Sequence, residues 1–218
     1  MTGEEQTAYD HPKQVLRRAI EDFTAGAGHL VQVVGLIDDD QWERPGLGEW
    51  SLRSLVGHAS RSLTTVVSYL GVTYLGEPGS TVELDSAGAY FASIQGWGDP
   101  AAVLARGVDA GVALGDDPRG GVAALRTRAV DALSDITDRP LTTPFGGIWL
   151  SQYLPTRTFE LAVHGLDITR AIGASVPLPP SVLGSALSTA ADAAALTGQG
   201  EQALLTLTGR ESAPISVV

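Results

Sequence analysis

The chain of 218 residues carries 14 Lys and Arg against 25 Asp and Glu, a formal net charge of -11. Its long-range field repels phosphate backbones and anionic lipid surfaces, which disfavours nucleic-acid and membrane partners. The absence of cysteine excludes a disulfide framework, a zinc-thiolate site and a catalytic thiol, so any thiol chemistry must use a thiol brought from outside.

The opening MTGEEQTAYDHPK has acidic residues where a secretory signal needs a basic segment and an apolar core. No later stretch is long enough to span a bilayer, and the reading predicts a soluble cytoplasmic protein, monomer or homodimer. Lys13 is the single lysine, and Ala, Gly and Arg are abundant, a bias that fits a GC-rich genome.

From Pro12 to about Ile37, Val15, Ile20, Phe23, Leu30, Val33 and Val34 recur at helical spacing. DQWERPGLGEW reads as a loop. Ser51 is a good N-cap for a second helix over Leu52 to about Leu70, whose apolar sector includes Leu55, Ala59, Leu63 and Val66. Arg53, Ser60, Arg61, Thr64 and Ser68 fall opposite, and His58 sits at the border. Short helices are expected near 84–94, 100–114 and 119–138, with GWGDP and GDDPRGG as breaks, and RPLTTPFGG at 139–147 as a loop.

A helix from about Gln152 to Ile172 follows, with Pro155 acceptable in its first turn. After SVPLPP, an Ala-rich helix over about 180–197 and the tail LLTLTGRESAPISVV close the chain. Four helices of this length favour a bundle. The expectation is all-α and a single domain: 1–175 form the bundle, with additional short helices, and 176–218 a covering helix and tail packed on it.

Glu160 and His164 are four apart and share one helix face. The opposite face, Thr158, Ala162, Gly165 and Thr169, is small and weakly polar, which reads as the outer face and turns the pair inward. A buried carboxylate needs neutralising. Arg157, His164 as an imidazolium, or a divalent cation shared with another helix would serve, and His58 is the obvious third ligand. Two His and one carboxylate form a ligand set for catalytic zinc or non-haem iron, although an inward Glu and His can equally be a buried hydrogen-bonded pair. His11 and His29 read as structural or exposed.

The order GEWSLRSLVGHAS, then YLPTRTFELAVHGLDITRAIG, then the closing LLTLTGRESAPISVV, resembles the mycothiol-dependent maleylpyruvate isomerase group of the DinB-like superfamily. The resemblance spans nearly the whole chain and rests on Trp-x7-His and Arg-x2-Glu-x3-His-x2-Asp. It implies a DinB-like four-helix bundle holding a divalent metal, usually zinc, through His58, Glu160 and His164. Asp167 either orients a ligand histidine, pairs with Arg157 or is an ordinary acid linked to Arg170. Trp50 lines the mouth of the site or packs on the bundle.

The function expected from this resemblance is metal-dependent isomerisation or S-transfer on a small electrophilic substrate, with mycothiol as the thiol cosubstrate and an actinobacterial source. Alternatives are a hydrolase using metal-activated water and a non-enzymatic binding module. Arg157, Arg61 and Arg106 are candidates to hold an acidic substrate, each equally readable as a surface salt-bridge residue.

Overall fold

A computed structural model describes residues 3–71, 82–95, 99–212 and 214–216, with the side chains of 3–12 left aside. The His11 side chain and part of the GWGDP break therefore lie outside what is described. In chain order the elements are α1 (Gly3–Val34), β1 (Pro45–Leu47), β2 (Trp50–Ser51), α2 (Leu52–Gly71), α3 (Ala87–Ile94) and α4 (Pro100–Ala113). Then follow α5 (Pro118–Asp131), β3 (Pro140–Thr143), β4 (Gly146–Trp149), α6 (Leu150–Ile172), α7 (Pro180–Leu196) and α8 (Gly200–Leu207).

Local chemistry explains where these helices begin. Ser51 Oγ accepts the Ser54 backbone N–H at 3.3 Å, as expected of an N-cap. Two Asp-Pro pairs start α4 and α5: Asp99 accepts from Ala101 N at 3.0 Å and Asp117 from Gly120 N at 3.0 Å, with the proline at the first helical position. Ser86 caps α3 by accepting from Ala89 N at 3.1 Å.

The long helices close into a ring in which α1 packs on α6, α6 on α2, α2 on α5 and α5 on α1. This is the four-helix bundle of the DinB-like, all-α class. Phe23, Leu30, Leu55, Leu63, Tyr153, Leu154 and Leu161 are fully buried inside it. Outside the ring, α4 lies along α2, while α7 packs on α3, α6 and α1. Among the described residues no helix is long and apolar enough to cross a membrane.

Several expectations change in the structure. The segment expected as the loop 139–147 is largely an antiparallel hairpin pairing Pro140 with Trp149 and Leu141 with Ile148. Its prolines and glycines resemble breakers, yet Pro144 and Phe145 form only the two-residue turn, where Thr143 Oγ1 donates to Gly146 O at 2.8 Å. Leu141 and Ile148, at 1% and 0% exposure, give the hairpin its buried face. Because β4 runs straight into α6, that helix begins at Leu150 and Pro155 stands inside it rather than in its first turn. The Ser151 carbonyl consequently has no N–H four residues on.

Helix α5 stops at Asp131 rather than near 138. Asp135, at φ 55, has left the right-handed region that a helix requires. The expected closing tail begins inside a short helix, α8, which ends at Leu207. Ser60, placed on the polar side of α2, is buried because α4 covers that side.

The C-terminus of α6 offers a clean test of backbone geometry. Gly173 caps it at φ 68 with open space around the position of a Cβ. Gly173→Ala is expected to destabilise by about 1 kcal/mol from the left-handed conformation alone, read as a lower urea midpoint with an unchanged m-value.

Candidate metal centre

Helix α6 carries Tyr153, Arg157, Glu160, His164 and Asp167 along one stripe, spaced four, three, four and three residues apart. The face expected to be outermost is instead among the most buried: Thr158 is 0%, Ala162 2% and Thr169 5% exposed. Small residues there let α1 approach closely, and a Cβ added at Gly165 would lie 3.1 Å from the His29 ring. Glu160 and His164 thus face the seam towards α2, between two buried sides.

Across that seam α2 presents His58, whose ring centroid lies 4.8 Å from that of His164 at 89°. His58, Glu160 and His164 offer ligand atoms that all lie within 4.8 Å of one another. His164 Nε2 is 3.1 Å from Glu160 Oε2 and its Nδ1 is 3.2 Å from Asp167 Oδ2. Asp167 also reaches the exposed Arg170 at 3.7 Å. It therefore contacts the histidine and Arg170, and no ion pair joins it to Arg157 among the described residues.

Electrostatics divide the two histidines. Burial, reinforced by the charge of His164, lowers the His58 pKa to about 4. For His164, burial alone would act the same way, but the hydrogen bonds to Asp167 and Glu160 outweigh it and raise the pKa to about 9. Burial would push Glu160 up; the hydrogen bond from His164 and then the Arg157 charge prevail and bring it to about 2. The result is an imidazolium between two carboxylates beside a neutral imidazole.

This donor set fits a divalent cation. His58 Nδ1 is buried and has no hydrogen-bond partner, an arrangement that leaves a polar nitrogen uncompensated. A neutral imidazole and a carboxylate are borderline-to-hard ligands suited to zinc or iron. The contact between His164 Nδ1 and Asp167 leaves Nε2 facing the same point as Glu160, the arrangement by which an outer carboxylate orients a ligand histidine.

The remaining expected residues separate. Trp50 stacks on His58 with centroids 4.5 Å apart, and its indole N–H donates to Leu104 O at 3.1 Å. It both packs on the bundle and borders the site. Arg157 is no surface residue: it is 9% exposed, with its guanidinium carbon 5.1 Å from the Tyr153 ring centroid and 5.3 Å from that of Tyr90. Arg61 and Arg106 are near enough to oppose protonation of His58, and neither forms an ion pair among the described residues. His29 stands apart, buried, with Nε2 3.3 Å from Val176 O.

Sequence reasoning missed Tyr90 and Tyr153 as the walls against Arg157. Tyr153 was legible, because it stands one turn before Arg157 on the same stripe. Tyr90 was not, since α3 reaches the site only through tertiary packing on α6.

Searches of curated proteins and of solved structures gave no significant match. A family model described as the mycothiol maleylpyruvate isomerase N-terminal domain does match, over residues 23–169. That span holds the whole of α2 and nearly all of α6, hence every residue of the cluster. A match that spans more than half of the chain places it in the mycothiol maleylpyruvate isomerase N-terminal domain family.

Proposed function

We propose that the protein is a metal-dependent enzyme that uses a low-molecular-weight thiol, mycothiol in the first instance, for isomerisation or S-transfer on a small electrophilic substrate. His58, Glu160 and His164 would hold the ion, most simply zinc. The observation that carries this reading is the convergence of their ligand atoms within 4.8 Å of one another. When bound, the ion supplies Lewis acidity that lowers the pKa of a thiol.

The chain's own groups take the remaining roles. Asp167 holds the Nδ1 proton of His164, which leaves Nε2 as the ligand atom. Trp50 fixes the His58 ring by stacking, and Arg157 keeps Glu160 ionised. Use of a reduced thiol fits a cytoplasmic setting, where thiols are kept reduced. We read 176–218 as part of the same unit, a view supported by the packing of α7 on α1, α3 and α6.

Two measurements test this. One equivalent of divalent metal is expected in the purified protein and a sharp loss in His58→Ala with the helical circular-dichroism signal kept; stoichiometric metal in a His58→Ala, Glu160→Ala double variant would overturn the ligand assignment. In the cobalt-substituted protein, adding mycothiol is expected to produce a sulfur-to-metal charge-transfer band that strengthens as pH rises towards the thiol pKa, because thiolate ligation releases a proton. A spectrum indifferent to thiols, together with thiol-free ester hydrolysis, would replace this reading with a hydrolase.

A further inference from the structure

A second polar site lies away from the histidines, in a cleft of about 420 Å³ walled by α1, α6 and α7. Most of its lining falls outside residues 23–169, so the family's common segment does not build it. Asp22 lies in its wall and is only 6% exposed. Its polar neighbours are the Ser181 hydroxyl, a hydrogen-bond donor to it, and Arg18, which stays 3.9 Å away with a side chain 79% exposed, beyond hydrogen-bond reach and screened by solvent. A carboxylate this buried is ordinarily paired with a bonded cation.

Independent features of the same cleft point to a ligand rich in donors. Thr189 and Ser151 line it at 3% and 6% exposure, yet neither hydroxyl makes a hydrogen bond among the described residues. The half-buried Ser185 and the exposed Ser188 add hydroxyls from α7, in register with Thr189 and Asp192 on one helix face. Asp192 uses Oδ2 to accept from Ser86 Oγ at 2.7 Å and Gly88 N at 3.0 Å, and its Oδ1 accepts from none of the described residues. Pro155, also in the wall, gives the Ser151 carbonyl no N–H. Acceptors thus stand on α1, α6 and α7, with the exposed Arg18 as the one cation in the lining.

We propose that this cleft binds a small organic ammonium ion, a protonated primary amine bearing further hydrogen-bonding groups, with Asp22 as its counter-charge and Thr189 and Ser151 as hydroxyl partners. A volume of this size admits a ligand of roughly ten to twenty heavy atoms. The site is separate from the histidine cluster, so its occupancy does not depend on the metal reading.

Isothermal titration of the full-length protein with putrescine and glucosamine, against choline and inositol, tests the proposal. Choline carries the charge without N–H donors, and inositol carries hydroxyls without charge. Saturable binding of at least one primary amine is expected, with both comparison compounds weaker by about tenfold or more. Asp22→Asn should weaken the amine by about tenfold or more, and the near-isosteric Thr189→Val should weaken it while leaving metal content unchanged. No saturable binding by either amine, inositol or choline binding as tightly as the amines, or full affinity in Asp22→Asn would each overturn it.

Discussion

Gly57→Val is expected to unseat α4 from α2 and to destabilise the protein by about 3 kcal/mol or more, at the upper end of what overpacking costs. A Cβ at Gly57 would lie 2.2 Å from Gly111 N and 2.5 Å from Gly111 Cα. Both are backbone atoms, so no rotamer change relieves the overlap. The contact is reciprocal, since a Cβ at Gly111 would meet Arg53 O at 2.8 Å and one at Gly107 would meet Trp50 Nε1 at 2.8 Å. Three glycines thus permit the close approach that brings Leu104 O to the Trp50 indole. The variant should show a lowered urea midpoint and a shifted tryptophan emission, because Trp50 loses its acceptor. Gly28→Ala, where a Cβ would have nothing within 4 Å, is expected to be neutral or to stabilise by up to about 1 kcal/mol. Equal midpoints for Gly57→Val and the parent protein would refute the close crossing of α2 and α4.

The second large effect is a pH dependence of the metal-free protein. His164, lifted from 6.5 to about 9 by Asp167 and Glu160 against the effect of burial, contributes stability that is complete below pH 6.5 and is lost as pH rises through about 9. The loss is on the order of 3–4 kcal/mol, one pKa unit being worth about 1.4 kcal/mol. Glu160, depressed from 4.5 to about 2, acts on the acid side: its contribution is present above pH 4.5 and disappears towards pH 2. His58, lowered from 6.5 to about 4 mainly by burial, costs stability as pH falls through that interval, because the unfolded chain takes up the proton first. Chelator-treated protein should therefore become less stable to urea between pH 6.5 and 9, and Asp167→Asn should flatten that slope. Metal affinity should climb over the same interval, since a ligand histidine must give up its proton. A stability that rises from pH 6.5 to 9 without metal would contradict the geometry of His164 between its two carboxylates.

The parts of the fold legible in the sequence are those set by local chemistry. Ser51, the two Asp-Pro pairs and the helical period of α1, α2 and α6 announce themselves within a few residues. Glu160 and His164 share a face by spacing alone, and His58, at the border of the second helix's apolar sector, was their obvious third partner, which the resemblance then named. What stayed hidden depends on neighbours. The hairpin at 140–149 was masked by turn-forming residues whose pairing is fixed by the burial of Leu141 and Ile148. The face of Thr158, Ala162, Gly165 and Thr169 looked external because small residues lack apolar area, whereas smallness is what admits α1 and His29. Arg157 could be read both as a site residue beside Glu160 and as a surface cation, since no sequence pattern reveals that Tyr90 will cover it.

The single-helix origin of the polar stripe also orders events in time. His164 meets Glu160 and Asp167 across separations of four and three residues, contacts that close no long loop and can appear as soon as α6 coils, on the scale of a microsecond or less. His58 must arrive across a separation of about a hundred residues, after the chain between has been threaded and the slower entropic search for a non-local partner is over. The cluster therefore joins two unequal parts, an electrostatic half written into one helix and an imidazole supplied from a distant part of the chain. Its completion reports that α2 and α6 have docked in register.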